Sequence, residues 1–272
     1  MAESPAHRFG QIIGEVLEAA LIPLLKNFAE QHGLYLDGQG PRPARSGTKV
    51  RWRDQFGNSH DLDYVLEKNG TPDEIGIPVG FIETAWRRYT KHSRNKAQEI
   101  QGAILPLVST HRNSAPFIGA ILAGEFTDGA LCQLRSHGFR VLYFPYRSVV
   151  DAFQVVKIDA AFDEDTPDAV LATRVAAWKR LGPTRRGRVA QRLLEIEAEQ
   201  IRTFFHSLEQ AILRRIKTIL VIPLHGTPLE FPSVDDAISK IANYREAENK
   251  MPVVRYEIEI RYNNSDTIVA RF

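Results

Sequence analysis

His60-Asp61-Leu62-Asp63-Tyr64-Val65-Leu66 and Val79-Gly80-Phe81-Ile82-Glu83-Thr84-Ala85 decide how this chain is read. Both are short apolar runs of strand character, and both carry acids that a plain core strand would exclude. Side chains alternate along a strand, so Asp61 and Asp63 are expected to share one face. Glu83 falls where the second run gives way to residues 86–96, which hold Arg87, Arg88, Lys91, Arg94 and Lys96 and no acid. Carboxylates on neighbouring strands beside a cationic loop suit a hard divalent metal and an anionic substrate. The structural alternative is an Asp–Arg pair with Arg51 or Arg53 on the preceding strand.

Working outward, residues 9–29 repeat Ile12, Ile13, Val16, Leu17, Ala20, Leu21, Leu24 and Leu25 at helical spacing. Residues 38–43 read as a loop. Residues 49–54 and 60–67 predict two strands around the turn 55–59, and 79–85 predict a third. A helix is expected over 93–108, a strand over 116–122, a helix over 128–136, a strand over 139–144 and a helix over 148–156. Strands alternating with helices imply an α/β fold with a central mixed sheet flanked by helices, over residues 1–160. The acidic, turn-rich stretch 160–168 reads as a boundary. Beyond it, residues 161–272 predict a C-terminal α+β region: helices over 169–181, 185–215 and 234–244, strands over 218–224, 253–262 and 267–271. In 253–262 apolar and charged residues alternate, as in a half-buried antiparallel strand.

The order helix, three strands, helix, strand, with an acid on the second strand and another near the end of the third, resembles the PD-(D/E)xK nuclease superfamily, which has the restriction-endonuclease-like fold. The resemblance covers roughly residues 8–150 and rests on order and spacing. It implies Asp63 as the first acid, Glu83 as the second and Asp61 as a further or supporting ligand, together holding Mg²⁺, with Mn²⁺ as a substitute. The family places a lysine two residues after the second acid, where this chain has Ala85. The superfamily sometimes moves that lysine to the following helix, which makes Lys96 the best substitute and Lys91 the next. Gln98, Gln101, Glu15 and Glu18 could approach such a site, although solvated helix faces explain them equally well or better.

The implied activity is Mg²⁺-dependent endonucleolytic cleavage of DNA, of restriction or phage-defence type. The alternatives are an inactive nuclease-fold protein that binds nucleic acid or serves as a scaffold, and a nuclease directed at RNA or DNA ends. Arg87, Arg88, Lys91 and Arg94 are expected to contact phosphates, as are Arg185, Arg186 and Arg188 in a second acid-free basic stretch. Trp52, between Arg51 and Arg53, reads as strand packing flanked by exposed cations. Cutting both strands would call for a homodimer, and the C-terminal region could serve dimerisation, target recognition or a protein partner.

Several classes are excluded. No apolar run approaches the ~18 residues of a membrane span, and the first residues have no signal-peptide pattern, so the cytoplasm is the expected compartment. The single cysteine, Cys132, rules out an internal disulfide and a cysteine zinc cage, and reads as a core thiol. There is no phosphate-binding G-x-x-x-x-G-K-[ST] loop and no G-x-S-x-G nucleophile elbow.

Overall fold

Ser4 opens the first helix, its hydroxyl accepting the His7 N–H at 3.2 Å. Pro5 occupies the first turn, where no donor is needed. The helix, α1 (Pro5–Gln31), buries Phe9, Ile12, Ile13, Val16, Leu17, Leu21, Leu25 and Phe28 along one stripe. The structure is a computed structural model that describes residues 4–114, 116–223, 228–243, 256–264 and 267–271. The chain divides into two compact units, residues 1–207 and 208–272.

In the first unit α1 is followed by β1 (Leu34–Gly38), β2 (Val50–Arg53), β3 (Ser59–Leu62), β4 (Tyr64–Lys68) and β5 (Ile77–Arg87). Next come α2 (Ser93–Thr110), β6 (Phe117–Gly124), α3 (Asp128–Ser136), β7 (Arg140–Pro145) and α4 (Tyr146–Phe153). The central sheet has the order β1-β4-β5-β6-β7. The β1–β4 and β4–β5 pairs are antiparallel, and β5–β6 and β6–β7 parallel. It is the mixed sheet flanked by helices that the sequence predicts. Val65, Phe81, Ala85, Ala120 and Leu122 face one way, into a core with Ala97, Ile100, Ile104 and Leu107 of α2 and Leu131 and Leu134 of α3. Strand β6, between β5 and β7, is buried along its whole length, as covering on both faces requires.

The strand register departs from the expected one at the decisive place. The predicted strand 60–67 is two strands, broken at Asp63. Its first half, β3, pairs only with β2 in a separate hairpin, and its second half, β4, enters the main sheet. The third antiparallel strand of that sheet is β1, which local sequence pattern does not mark as a strand. Leu34-Tyr35-Leu36-Asp37-Gly38 lacks a clean alternation because Asp37 is buried, at 3% exposure.

The first unit also runs past the boundary expected at residue 160. Ala160 and Phe162 are buried. The Tyr146 hydroxyl ties them down, reaching the Ala160 carbonyl at 3.1 Å and accepting the Phe162 N–H at 2.7 Å. Beyond them α5 (Asp168–Lys179) and α6 (Pro183–Ile196) pack on α1. The single helix expected over 185–215 is two, α6 and α7 (Ala198–Ile212). They are parted at Glu197, whose carboxylate accepts bonds from Ser148 at 2.5 Å and Gln200 at 2.6 Å. Cys132 is exposed on α3, because Ala130, Leu131 and Leu134 take the inward face.

The second unit holds β8 (Ile216–Pro223), β9 (Leu229–Phe231), α8 (Val234–Ala242), β10 (Tyr256–Tyr262) and β11 (Thr267–Arg271), with sheet order β11-β10-β8-β9. Ile258 and Ile260 pack on a small core of Ile219, Val221 and Ala237. Alternating with them, Glu257 and Glu259 pair with Arg271 and Arg261. Residues 224, 244 and 253–255, included in the predicted strands and helix, lie outside the described residues. No described helix is long and apolar enough to cross a membrane.

A buried ion network fixes the far end of β4. Arg42 forks onto Glu67 at 2.7 and 2.9 Å, meets Asp37 at 3.0 Å and bonds the carbonyls of Thr71 and Glu74. Glu67 also accepts the Gly76 N–H at 2.7 Å. Removing one partner strands the others without water. Arg42→Ala is therefore expected to destabilise the first unit by about 3 kcal/mol, read as a lowered urea midpoint in tryptophan fluorescence.

Candidate functional site

The antiparallel register sets Tyr64 opposite Ile82, so Asp63, one residue earlier, arrives at Glu83. The two strands are stitched there by side chains. The Asp63 N–H donates to Glu83 Oε1 at 3.0 Å. In return Asp63 Oδ2 accepts the Thr84 N–H and the Thr84 hydroxyl, each at 2.8 Å. Each carboxylate thus has one oxygen held by the neighbouring strand. Asp63 Oδ1 and Glu83 Oε2 have no protein donor among the described residues.

Glu83 shares its sheet face with Phe81 and Ala85 and is buried under α2, at 6% exposure. Burial, and then the Asp63 charge, push its carboxyl up to about 8, against the Asp63 N–H and the Lys96 ammonium. Lys96 enters from the first turn of α2. Its side chain is largely buried and lies 3.5 Å from Glu99. From the other side α1 brings Glu18, whose carboxyl is also raised, by burial first and then by Asp63 and Glu15. Glu18, Lys26, Tyr35, Gln39, Asp63 and Thr84 line a cleft of about 380 Å³.

The structure thus brings together three predicted site residues, Asp63, Glu83 and Lys96. Asp61 is not among them. The break at Asp63 puts it on the hairpin, where Lys49 and Arg51 hold both its oxygens at 2.7 Å and keep its pKa low. This is the Asp–Arg pair weighed as the structural alternative. Glu18, which the sequence allows near the site but which a solvated helix face explains better, lines the cleft beside Asp63, and Thr84 is the addition. Glu18 carries no signal beyond its place on α1, and Thr84 none, because its role depends on the β4–β5 register.

Among the described residues no group of three or more His, Cys, Asp or Glu is close enough together to hold a metal. Mg²⁺ does not require one, since it is commonly bound by one or two carboxylates with waters and substrate phosphate completing the shell. Two acids with an uncommitted oxygen each, one of them costly to ionise alone, fit that ion.

The cationic residues divide. Arg88 turns inward, stacking on Tyr146 at 4.0 Å and bonding the Phe162 carbonyl. Arg186 lies against Trp178 and bonds the Lys179 carbonyl at 3.0 Å. Both hold the fold rather than face a ligand. Arg87 and Lys91 are in ion pairs with Glu99 and Glu164, which a phosphate could replace. Arg94, Arg185 and Arg188 are exposed. Gln98 is exposed, and Gln101 is buried against Gln133.

Ionising Glu83 costs the folded protein, so without metal its stability should fall as pH rises from the ordinary glutamate range through about 8. Glu83→Gln should lose that slope. Thermal melts of both proteins in EDTA between pH 5 and 9 measure it. Added Mg²⁺ at pH 8.5 should raise the wild-type melting temperature and leave the variant's nearly unchanged.

No protein-family model and no curated protein matches this chain. A solved structure, the crystal structure of a protein of unknown function, AF1548, aligns with 70% of this chain and 98% of its own at 10% identity and a TM-score of 0.31. That likeness is too slight to carry an argument about fold or activity.

Proposed function

We propose that this chain is a divalent-metal-dependent endonuclease of the PD-(D/E)xK type, acting on DNA. The observation that carries the reading is the meeting of Asp63, Glu83 and Lys96 from three different elements, with one oxygen of each acid uncommitted. The element order supports it: a helix, three antiparallel sheet strands, a helix and a parallel strand, with the acids at the start of the second sheet strand and on the third.

In this reading Asp63 and Glu83 would hold the ion through the oxygens that no protein donor occupies. When bound, Mg²⁺ polarises the scissile phosphate and acidifies a water. Thr84 fixes the Asp63 carboxylate through two bonds, so its orientation does not depend on substrate. Lys96 brings a positive charge to Glu83, where the missing family lysine would have stood. Its role is to stabilise the attacking hydroxide and the charge developing on phosphate. Glu18, at the cleft wall beside Asp63, could accept a proton or a hydrogen bond from a water in the cleft. Arg87, Lys91, Arg94, Arg185 and Arg188 are left as phosphate contacts. Two copies would cut a duplex, and the C-terminal unit would serve dimerisation, target recognition or a protein partner.

One observation favours binding without cleavage: Ala85 is packed in the core, 6% exposed, and leaves the usual lysine position empty of charge. Incubation of unmodified plasmid and phage DNA with Mg²⁺, with and without EDTA, separates the readings. Cleavage by the wild type should vanish with EDTA and in Glu83→Ala. Lys96→Ala should slow it by about 100-fold or more while leaving DNA affinity nearly unchanged. DNA that is bound but intact under Mg²⁺ and Mn²⁺ alike would establish the binding-only reading.

A further inference from the structure

The hairpin between β2 and β3 is not part of either larger sheet. Its inward face, Val50, Trp52 and Leu62, packs on the core beneath α2. Trp52 sets its edge against Phe81 and His111, at 6.1 and 5.4 Å between ring centroids. The Gln55 N–H donates to the Thr110 hydroxyl at 2.9 Å, tying the hairpin to the end of α2. The outward face carries Lys49, Arg51 and Arg53 against one carboxylate, Asp61. Arg53 has no acid partner among the described residues.

The turn is built to be rigid. Gly57 N–H donates to the Asp54 carbonyl at 2.9 Å and Asp54 N–H to the Asn58 carbonyl at 3.0 Å. Gly57 has φ +86°, the left-handed conformation that closes a three-residue hairpin loop. The buried Asp54 carboxylate accepts the backbone N–H groups of Phe56 and Asn58 and bonds the side chains of Asn58 and His60, all within 3.0 Å. What this turn holds out is Phe56, 79% exposed. A turn stiffened by so many bonds around one solvated phenyl ring spends order on presenting it.

We propose that this hairpin is a nucleic-acid contact, in which the cations of its outer face lie along phosphates and Phe56 stacks on a base or enters a base step. Three features point to nucleic acid: the excess of cations on an exposed two-stranded ribbon, an apolar wedge at its rigid tip, and direct continuity with the candidate site. Leu62 ends β3 and Asp63 follows it. Asp63 is seven positions after Phe56, a reach of at most about 23 Å along an extended chain, or roughly seven base-pair steps of a duplex. The inference rests on the nuclease reading for its choice of ligand and deepens it by naming the element that grips the strand beside the cut.

The test is fluorescence anisotropy of a fluorescein-labelled DNA duplex titrated with full-length protein in EDTA, so that cleavage plays no part, across a salt series. Phe56→Ala should weaken binding about tenfold with its salt dependence unchanged, and Phe56→Trp should restore it. Arg53→Ala should flatten the salt dependence by about one counterion. Thermal melts should show all three variants folded, because both side chains are exposed. Wild-type affinity in both Phe56→Ala and Arg53→Ala, as expected if the hairpin serves a protein instead, overturns the proposal, as does a wild type that does not bind DNA. The two readings fail separately. DNA cut with hairpin-independent binding removes this inference alone, whereas hairpin-dependent binding without cleavage under Mg²⁺ removes the nuclease.

Discussion

The exchange of hydrogen bonds between Asp63 and the Glu83–Thr84 pair is the constraint on which the site depends. Asp63 stands where the chain leaves the hairpin and joins the sheet, so the ladder does not use its N–H. An unused donor at a sheet entry needs an acceptor, and Glu83 supplies it. Thr84 then returns two bonds to the Asp63 carboxylate. The same contacts that close the strand ends set two acids side by side, each with a free oxygen. That arrangement is strained for a protein without a counter-ion, since like charges in a buried place raise each other's cost. Lys96 offsets part of it.

The hairpin insertion and the Arg42 network stand on either side of this junction. The hairpin draws Asp61 away and satisfies it with Lys49 and Arg51, leaving Asp63 as the only acid of its run at the sheet. At the other end of β4, Arg42 grips Glu67 with bidentate geometry, shares Asp37 with Arg45 and anchors the loop that leads into β5. β4 is thereby held at both ends by ionic contacts of opposite purpose. One is saturated and structural. The other is left unsaturated, with Asp63 on the wall of a cleft.

Much of the fold was legible because its signals are local. The helical stripe of α1 and the alternation in β10 are periodicities that one face against a core imposes, and the continuous apolar run of β6 is what burial on both faces imposes. Helix α3 begins and ends where expected because Thr127 caps it and Gly138 follows its end. The misreadings have physical reasons. Residues 60–67 read as one strand because nothing in the local pattern marks Asp63 as a break; the break follows from which partner each half finds. Strand β1 was missed because its burial depends on Arg42 and Arg45 pairing with Asp37. The acidic stretch at 160–168 looked like a linker because Tyr146, not its own composition, fastens it down.

Of the site, the sequence by itself determined the residue types and their elements: an aspartate entering one strand, a glutamate on the next, a cationic segment after it, and a lysine in the first turn of the following helix. Strand and helix periodicity, together with the rarity of acids in apolar runs, suffice for that. Only the tertiary structure decided which acids meet. Register is a choice between partners distant in the chain, and shifting it by one residue would turn each side chain to the opposite face. It removed Asp61, brought in Thr84, set Glu18 rather than Glu15 on the cleft wall beside Asp63, and turned Arg88 and Arg186 into packing groups, because aromatic rings and carbonyls reached them first.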